Sequence, residues 1–142
     1  MAERIHAPRH MRHRLPTDTL WVGRGSPWEN PWTARRRLAT RPAGDDHPDA
    51  GEPHPGRWQW DVINLHTGEL HQTHTGRYGH PEHEARTQCV HLYEALTLPY
   101  RLEAAQLDPA ELTGKTLACD CRADAPCHAE VLAALTRQET PA

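Results

Sequence analysis

The stretch that decides the fold is "KTLACDCRADAPCHAEVLAALTRQ", residues 115–138, close to the end of the 142-residue chain. Its beginning, 115–121, predicts a short strand. Residues 122–126 predict a turn, and 127–138 predict a helix with one apolar face. The chain is therefore expected to pass from a strand through a turn directly into a helix, which is a building unit of α/β domains.

Five further segments predict regular structure. They are a buried strand at 20–22, a short helix at 34–39 capped by Thr33, a hairpin at 58–74, a helix at 80–98, and a helical turn from Asp108 to Gly114. The hairpin is indicated by Trp58, Trp60 and Val62, which alternate with more polar residues before the turn sequence "HTGE". Helices and strands thus alternate along the chain.

This order of elements predicts a small α/β or α+β fold, in which a short sheet is flanked by helices. At 142 residues the chain is most simply one domain. We expect that domain to span 18–138, with a flexible Pro/Gly-rich insertion at about 40–57 and a tail at 139–142. Residues 1–17 lack apolar periodicity and are expected to form a disordered, flexible basic arm.

Composition limits the classes of function. The chain is 37% hydrophobic with a mean hydropathy of -0.83, and its sequence contains neither a membrane-spanning apolar stretch nor a signal peptide. We therefore expect a cytoplasmic protein without membrane contact. The net charge of -3 argues against a global basic field for nucleic acid. The arginines and histidines of the basic arm can nevertheless hold phosphates, which makes nucleic acid a candidate partner.

Three of the four cysteines, Cys119, Cys121 and Cys127, crowd into the stretch quoted above. Such crowding favours metal binding or thiol chemistry over a secreted disulfide framework. Residues i and i+2 of a strand share a face, so Cys119 and Cys121 should emerge side by side. Cys127 should lie in the first helical turn, where free amide groups lower the pKa of a thiol. The three sulfurs are expected to converge at a strand end, where ligands bind in open α/β sheets.

Three interpretations of this cluster stay open at the level of sequence. In the first, Cys119, Cys121 and Cys127 bind a metal, for which zinc suits such soft ligands, and His128 or a distant histidine is the fourth ligand. In the second, Cys127 is a nucleophile and His128 is its neighbouring base. In the third, the cysteines are ordinary buried side chains. Cys89 lies on the apolar stripe of its predicted helix and is expected in the core.

A second candidate binding element is the glycine-rich loop "GRGSPWENP", residues 23–31, which follows the first predicted strand. Its backbone amides, the charge of Arg24 and the hydroxyl of Ser26 can cradle an anion. The loop matches neither of the common glycine-rich phosphate motifs. Trp28 and Trp32 can either stack on a base or fill the core.

These two motifs together resemble the bacterial and phage family called domain of unknown function 4326. Its members look alike in a G-R-x-S-x-W-G-N-P-F loop near the start, and they end in L-x-G-K-x-L-x-C-x-C, a short loop, P-C-H and a helix. The matching positions are Gly23, Arg24, Ser26, Trp28, Asn30 and Pro31, then Gly114, Lys115, Leu117, Cys119, Cys121, Pro126, Cys127 and His128.

The chain departs from the family pattern at two positions. Glu29 stands where the family usually has Gly, and Trp32 stands where it usually has Phe. If that Gly needs a positive φ, Glu29 strains or reshapes the loop. Glu29 can also add a carboxylate to the site.

The resemblance names no reaction, but it implies that the glycine-rich loop and the cysteine-containing segment 119–128 form one shared site. The implied ligand-binding residues are Gly23, Arg24, Ser26, Trp28 and Asn30, and the candidate catalytic residues are Cys127, His128 and Glu29. We therefore predict an enzyme that acts on a nucleotide or another phosphorylated or anionic substrate, with zinc as a candidate cofactor. The alternative is a non-catalytic zinc-binding module that contacts nucleic acid or protein.

Overall fold

The structure, a computed structural model, describes residues 3–40, 53–75, 80–121 and 125–139. These residues form six strands: β1 (Glu3–His6), β2 (Thr19–Trp21), β3 (Trp32–Thr40), β4 (Pro53–Asn64), β5 (Leu70–His74) and β6 (Thr116–Cys119). They also form three α-helices: α1 (Pro81–Leu92), α2 (Leu98–Glu103) and α3 (His128–Glu139). A π-helical segment, Tyr93–Thr97, joins α1 to α2, and short 3-10 helices lie at Arg9–Met11 and Pro109–Leu112.

The predicted mixed α/β class is confirmed, since two sheets of three strands pack with helices in one small domain. Within the described ranges, no helix has both the length and the apolar character needed to cross a membrane.

The first sheet is parallel and has the strand order β1-β6-β2. β6 is the central strand, with Leu117 opposite Arg4 of β1 on one side and Leu20 of β2 on the other. A central parallel strand is covered on both faces and is therefore apolar throughout. Accordingly, Leu117, Ala118 and Cys119 are fully buried. The core around them also contains Val22, Trp28, Tyr93, Leu98, Leu107, Leu112, Cys127, Ala129, Leu132 and Ala133.

The second sheet is antiparallel and has the strand order β3-β4-β5. α1 covers one face of it and forms a second core cluster from Trp32, Val62, Ala85, Cys89 and Leu92. The core position predicted for Cys89 is thereby confirmed. Burial raises the pKa of the Cys89 thiol to about 12, so this side chain stays protonated at neutral pH.

The predicted hairpin, the helix at 80–98, the closing helix and the helical turn after Asp108 are confirmed. β4 and β5 pair as antiparallel neighbours, and α1 begins at Pro81, whose missing N–H costs nothing at that position. The carboxylate of Asp108 caps its 3-10 helix by accepting a hydrogen bond from the Ala110 amide at 3.0 Å. Gly114 has a φ of +74° shortly after that helix, a backbone conformation that glycine adopts without strain.

The N-terminal segment differs from the sequence prediction. A flexible arm is predicted over 1–17, but Glu3–His6 forms β1 and Arg9–Met11 forms a 3-10 helix. The physical reason is backbone pairing with β6, which cannot be detected from the spacing of apolar residues. β1 pairs along β6, and the Ala7 N–H extends this pairing by donating to the Cys119 carbonyl at 2.9 Å.

Two arginines of this segment pair with acidic groups of the domain. Arg4 lies 2.8 Å from the Glu130 carboxylate, and Arg9 lies 3.2 Å from the Asp120 carboxylate. Part of the basic charge therefore faces the domain itself. Contact of this segment with nucleic acid stays a prediction.

The short helix predicted at 34–39 is wrong, because this segment belongs to β3. Alanine, arginine and leucine favour a helix intrinsically, but this preference is weak and tertiary pairing overrides it here. Pairing with β4 decides the outcome, since the register runs from Trp32 opposite Asn64 to Leu38 opposite Trp58.

The predicted flexible insertion at about 40–57 includes part of a strand. Its residues 41–52 lie outside the described part of the chain. Residues 53–57 belong to the backbone of β4, and Pro53 pairs with Thr40 beyond an irregularity in the register. Low hydropathy does not prevent strand formation here, because the ladder is made by backbone groups.

The hydroxyl of Tyr93 connects the glycine-rich loop to the core, since it donates to the Trp28 carbonyl at 2.8 Å and both residues are buried. Tyr93→Phe leaves that carbonyl without this donor, so we expect the free energy of unfolding in urea to fall by about 1–2 kcal/mol. Tyr100→Phe, at a ring that is 67% exposed, is the control and should stay within about 0.5 kcal/mol of the wild type. Equal losses in the two variants would contradict this role of Tyr93.

Candidate functional site

The three parallel strands end at one edge of the first sheet. The backbone holds this edge together, for example where the Val22 N–H donates to the Ala118 carbonyl at 2.8 Å just beyond β2. The segments that follow β1, β2 and β6 carry Arg9, Arg24 and Cys121, and all three residues line one cavity. The carboxyl edge of a parallel sheet is where α/β proteins usually bind ligands.

The predicted convergence of the three cysteines is found at this edge. The Sγ atoms of Cys119, Cys121 and Cys127 all lie within 4.8 Å of one another, and those of Cys119 and Cys127 are 3.0 Å apart. Cys119 and Cys127 are buried, Cys121 is partly exposed, and all three are free thiols. Three sulfur atoms in this arrangement can hold a metal ion.

Cys127 lies immediately before α3, one position earlier than the predicted first helical turn. Its carbonyl accepts a hydrogen bond from the Glu130 amide at 3.1 Å, and its sulfur accepts one from the Ala129 amide at 3.5 Å. The sulfur therefore occupies the place of a helix-capping oxygen, at the positive end of the helix dipole. Negative charge on the cluster is favoured in this place.

The three thiols titrate as one coupled set. Hydrogen bonds from Cys121 and Cys127 lower the pKa of the Cys119 thiol, although its burial acts in the opposite direction. The hydrogen bond to Cys119, together with burial, raises the pKa of both Cys121 and Cys127. These shifts favour the thiolate at Cys119 and oppose ionisation of Cys127, so the lowered pKa predicted for Cys127 at the start of its helix is wrong. Burial by itself lowers the pKa of the Arg4 guanidinium. The charges of Cys127 and Cys119 nearby help to outweigh this effect, so the pKa of Arg4 is raised.

His128 forms part of the wall of the site beside the sulfurs. Its Nε2 lies 2.6 Å from the Val22 carbonyl, so this nitrogen carries a proton and donates it. Its Nδ1 is then an acceptor and lies 3.9 Å from the Cys127 sulfur. Burial lowers the pKa of His128, which keeps the ring neutral, and the ring packs edge-on against Tyr93. In the described chain, the group of converging ligand atoms comprises the three sulfurs and does not include His128.

A cavity of about 250 Å³ lies next to the sulfurs. The candidate residues from the sequence that line it are Gly23, Arg24, Asn30, Trp32, Cys121, Cys127 and His128. Cys119 lies beneath it as part of the sulfur cluster. Arginine, amide and thiol groups therefore face one space, as the shared-site prediction requires.

Sequence reasoning does not assign to this site three charged residues that line the cavity: Arg9, Arg86 and Asp120. Strand alternation turns Asp120 away from the cysteines, but β6 ends at Cys119, so alternation no longer applies there. Arg9 follows β1, so it could have been placed at this edge if Glu3–His6 had been recognised as a strand. For Arg86, the sequence carries no signal beyond its place on α1.

The side chains of the glycine-rich loop hold the loop in shape. The Ser26 hydroxyl donates to the Gly23 carbonyl at 2.7 Å, and the Gly25 amide donates to the Glu29 carboxylate at 3.0 Å. Trp28 is buried in the core, as one of its two interpretations predicts. Ser26, Trp28 and Glu29 lie outside the cavity lining, and their contact with a ligand stays a prediction.

Glu29 replaces the usual glycine of the family without backbone strain, because it is not among the residues with a positive φ. Its carboxylate lies 2.8 Å from Nε2 of His66. Burial favours the neutral form of Glu29, but the hydrogen bonds from Gly25 and His66 and the charge of Arg24 together lower its pKa. The carboxylate is therefore ionised at neutral pH and braces the loop.

Close packing explains the need for Gly23. A Cβ atom at this position would lie 2.6 Å from Cζ2 of Trp21, which is closer than real side chains approach. The Trp21 indole N–H donates to the Arg24 carbonyl at 3.0 Å and fixes the backbone that carries Arg24 to the cavity. At the other end of the loop, the Asn30 amide donates to the Cys89 carbonyl at 3.1 Å and ties the loop to α1.

These features define a small α/β domain with a cysteine cluster and an arginine-lined cavity at the carboxyl edge of its parallel sheet. The sequence model of the family described as domain of unknown function 4326 matches residues 5–138, and the chain belongs to this family. The matched range includes most of the segment predicted to be a flexible arm, which agrees with its place in the first sheet. No curated protein and no solved structure matches the chain.

The lowered pKa of Glu29 predicts a pH-dependent contribution to stability. A carboxylate with a depressed folded pKa stabilises the fold above its unfolded pKa of about 4.3, and this contribution is lost as the pH falls further. We expect Glu29→Gln to be less stable than the wild type at pH 7 in chemical denaturation, with a difference that shrinks below about pH 4.3. Glu103→Gln, at an exposed carboxylate, should show little difference at either pH. A Glu29→Gln difference that stays constant down to acid pH would contradict this assignment.

Proposed function

We propose that the protein is an enzyme that binds a nucleotide or another phosphorylated, anionic substrate in the cavity beside Cys121 and Cys127. The observation that carries this proposal is the presence of three arginines, Arg9, Arg24 and Arg86, around a cavity that also contains thiol groups. Arginine donates paired hydrogen bonds to phosphate oxygens, and arginine clusters are a common means of phosphate recognition.

Arg24 is the main anion-binding group in this proposal. Arg9 already pairs with Asp120, and Arg86 pairs with Glu82 at 3.1 Å. The Arg24 side chain, in contrast, makes no hydrogen bond or ion pair with the residues that the structure describes, and its charge acts at longer range on Glu29. Arg24 is also only partly exposed, so its charge is weakly screened by water.

The sulfur cluster is proposed to hold zinc. Tetrahedral zinc with Zn–S bonds of about 2.3 Å requires sulfur atoms roughly 3.8 Å apart. The three sulfurs already lie within 4.8 Å of one another, and the sulfurs of Cys119 and Cys127, now 3.0 Å apart, would separate slightly. Bound there, zinc would supply a Lewis acid that polarises a substrate oxygen or a water molecule.

The position of His128 outside the converging sulfur atoms favours a catalytic zinc over a structural one. A structural zinc has four ligands from the protein, whereas a catalytic zinc keeps one position for water or substrate. The Nδ1 of His128 is unprotonated, but it lies outside the group of ligand atoms that converge in the described chain, which consists of three sulfurs. Since Cys121 and Cys127 both line the cavity, the remaining position would face the substrate. The alternative of a non-catalytic zinc module needs a fourth protein ligand at this place.

His128 also has a role that does not depend on metal. Its unprotonated Nδ1, 3.9 Å from the Cys127 sulfur, can accept the thiol proton when Cys127 ionises. In a metal-free protein the same two residues would form a nucleophile and its base.

Removal of Arg24 tests the proposed anion site. We expect orthophosphate or a nucleoside monophosphate to raise the melting temperature of the wild type, because a ligand that binds the folded state stabilises it. Arg24→Ala loses a charge-assisted hydrogen bond, so its affinity for the same compound should fall roughly 10- to 100-fold. Calorimetric titration measures this difference.

Arg137→Ala is the matched control, since Arg137 is an exposed arginine near the end of α3 and far along the helix from the cavity. It should bind the phosphate compound as the wild type does. The proposal fails if no phosphate compound stabilises the wild type, or if Arg24→Ala and Arg137→Ala bind equally well.

A further inference from the structure

We propose that a strip of arginine and tryptophan side chains on the second sheet binds single-stranded nucleic acid and leads the strand to the cavity. The strip consists of Arg36, Trp58, Trp60 and Arg86, and is called the Arg–Trp strip below. This inference rests on the proposed function, because it names the class of phosphate-bearing ligand that would enter the same cavity.

The register of the second sheet places these side chains on one face. Arg36 of β3 is the cross-strand partner of Trp60, and Trp58 lies two residues before Trp60 on β4. Residues two apart in a strand share a face and are spaced by about 7 Å. Ala34 and Trp32 occupy the preceding positions of the same face of β3 and line the cavity. The Arg–Trp strip is therefore a continuation of the cavity wall.

Each tryptophan of the strip is stacked against an arginine. The guanidinium carbon of Arg36 lies 4.2 Å from the centre of the Trp58 ring, and that of Arg86 lies 5.7 Å from the centre of the Trp60 ring. These cation–π contacts hold planar groups in place before any ligand arrives. Trp58 is 45% exposed, which is unusual for so large an apolar ring. Aromatic rings and guanidinium planes of this kind are the platforms on which unpaired bases stack.

The charge of the strip complements a phosphate backbone. Arg36 makes no ion pair with the described residues, and Arg86 shares its charge with Glu82. Arg86 belongs to both the strip and the cavity lining, so the two surfaces are continuous. A strand whose bases stack at Trp58 can thus bring a phosphate to Arg24. A duplex would present no free base faces to the rings, which is why the strip fits a single strand.

Fluorescence anisotropy with labelled single strands tests the Arg–Trp strip. The probes are a thymidylate DNA oligomer and a uridylate RNA oligomer of equal length, with a DNA duplex as competitor. Trp58→Ala removes the stacking platform and should weaken binding of the preferred oligomer roughly 5- to 100-fold. Arg36→Ala should weaken it as well and should reduce its dependence on salt. A clear preference for the RNA would indicate contact with the 2′-hydroxyl and would still support the strip.

Two matched controls come from the same sheet. Arg35→Ala removes an equal charge from the opposite face of β3, next to Arg36 in sequence. Leu70→Ala removes an exposed apolar side chain from β5, where Leu70 is 54% exposed. Both should stay within about twofold of the wild type, because isolated surface positions contribute little.

The outcomes separate this inference from the proposed function. Trp58→Ala and Arg36→Ala should leave the affinity for a free nucleoside monophosphate unchanged, since neither residue lines the cavity. The proposal that the Arg–Trp strip binds single strands is overturned if neither oligomer binds, if the duplex competes as well as a single strand, or if Trp58→Ala binds like Leu70→Ala. The cavity can still bind the monophosphate in each of those cases, whereas loss of monophosphate binding in the wild type overturns the proposed function itself.

Discussion

The parallel pairing of β6 with β1 on one side and β2 on the other is the constraint on which the site depends. Hydrogen bonds hold the central strand at both ends. At its start the Thr116 amide donates to the Asp18 carbonyl at 2.8 Å, and at its end the Cys119 carbonyl accepts from the Ala7 amide at 2.9 Å. Because three parallel strands end together, the residues that follow them meet at one edge. Arg9, Arg24 and Cys121 come from distant parts of the sequence and share a cavity for this reason.

The cysteine cluster could be predicted because its geometry is local. Cys119 ends β6, Cys121 lies two residues beyond it, and Cys127 lies immediately before α3, so all three sulfurs come from one short stretch of the sequence. The contributions of β1 and β3 could not be predicted in this way. Both segments are rich in arginine and poor in apolar periodicity, and both become strands through backbone pairing with partners far away in sequence. Arg9 was missed as a consequence, because its position follows from β1.

The glycine-rich loop shows a second limit of sequence reasoning. Its motif was recognisable, but the contacts that hold it come from elsewhere in the chain. Arg101 of α2 donates to the carbonyls of Pro27 and Glu29 at 3.0 and 2.7 Å, and no feature of the sequence points to that role. Residues of the motif such as Ser26 brace the loop, while Arg24 reaches the cavity. A rigid loop of this kind can hold a guanidinium in place for a ligand.

In the proposed enzyme, the sulfur cluster at a helix N-terminus lies beside the arginine-lined cavity, and a metal bound by the sulfurs would have one position open to that cavity. Zinc K-edge X-ray absorption of the anaerobically purified protein tests this most directly. We expect three sulfur ligands at about 2.3 Å and one nitrogen or oxygen ligand that changes when orthophosphate is added. A shell of four sulfurs would contradict this expectation, because the fourth cysteine, Cys89, belongs to the other core cluster. Protein purified without metal, or metal without sulfur ligands, would contradict it equally.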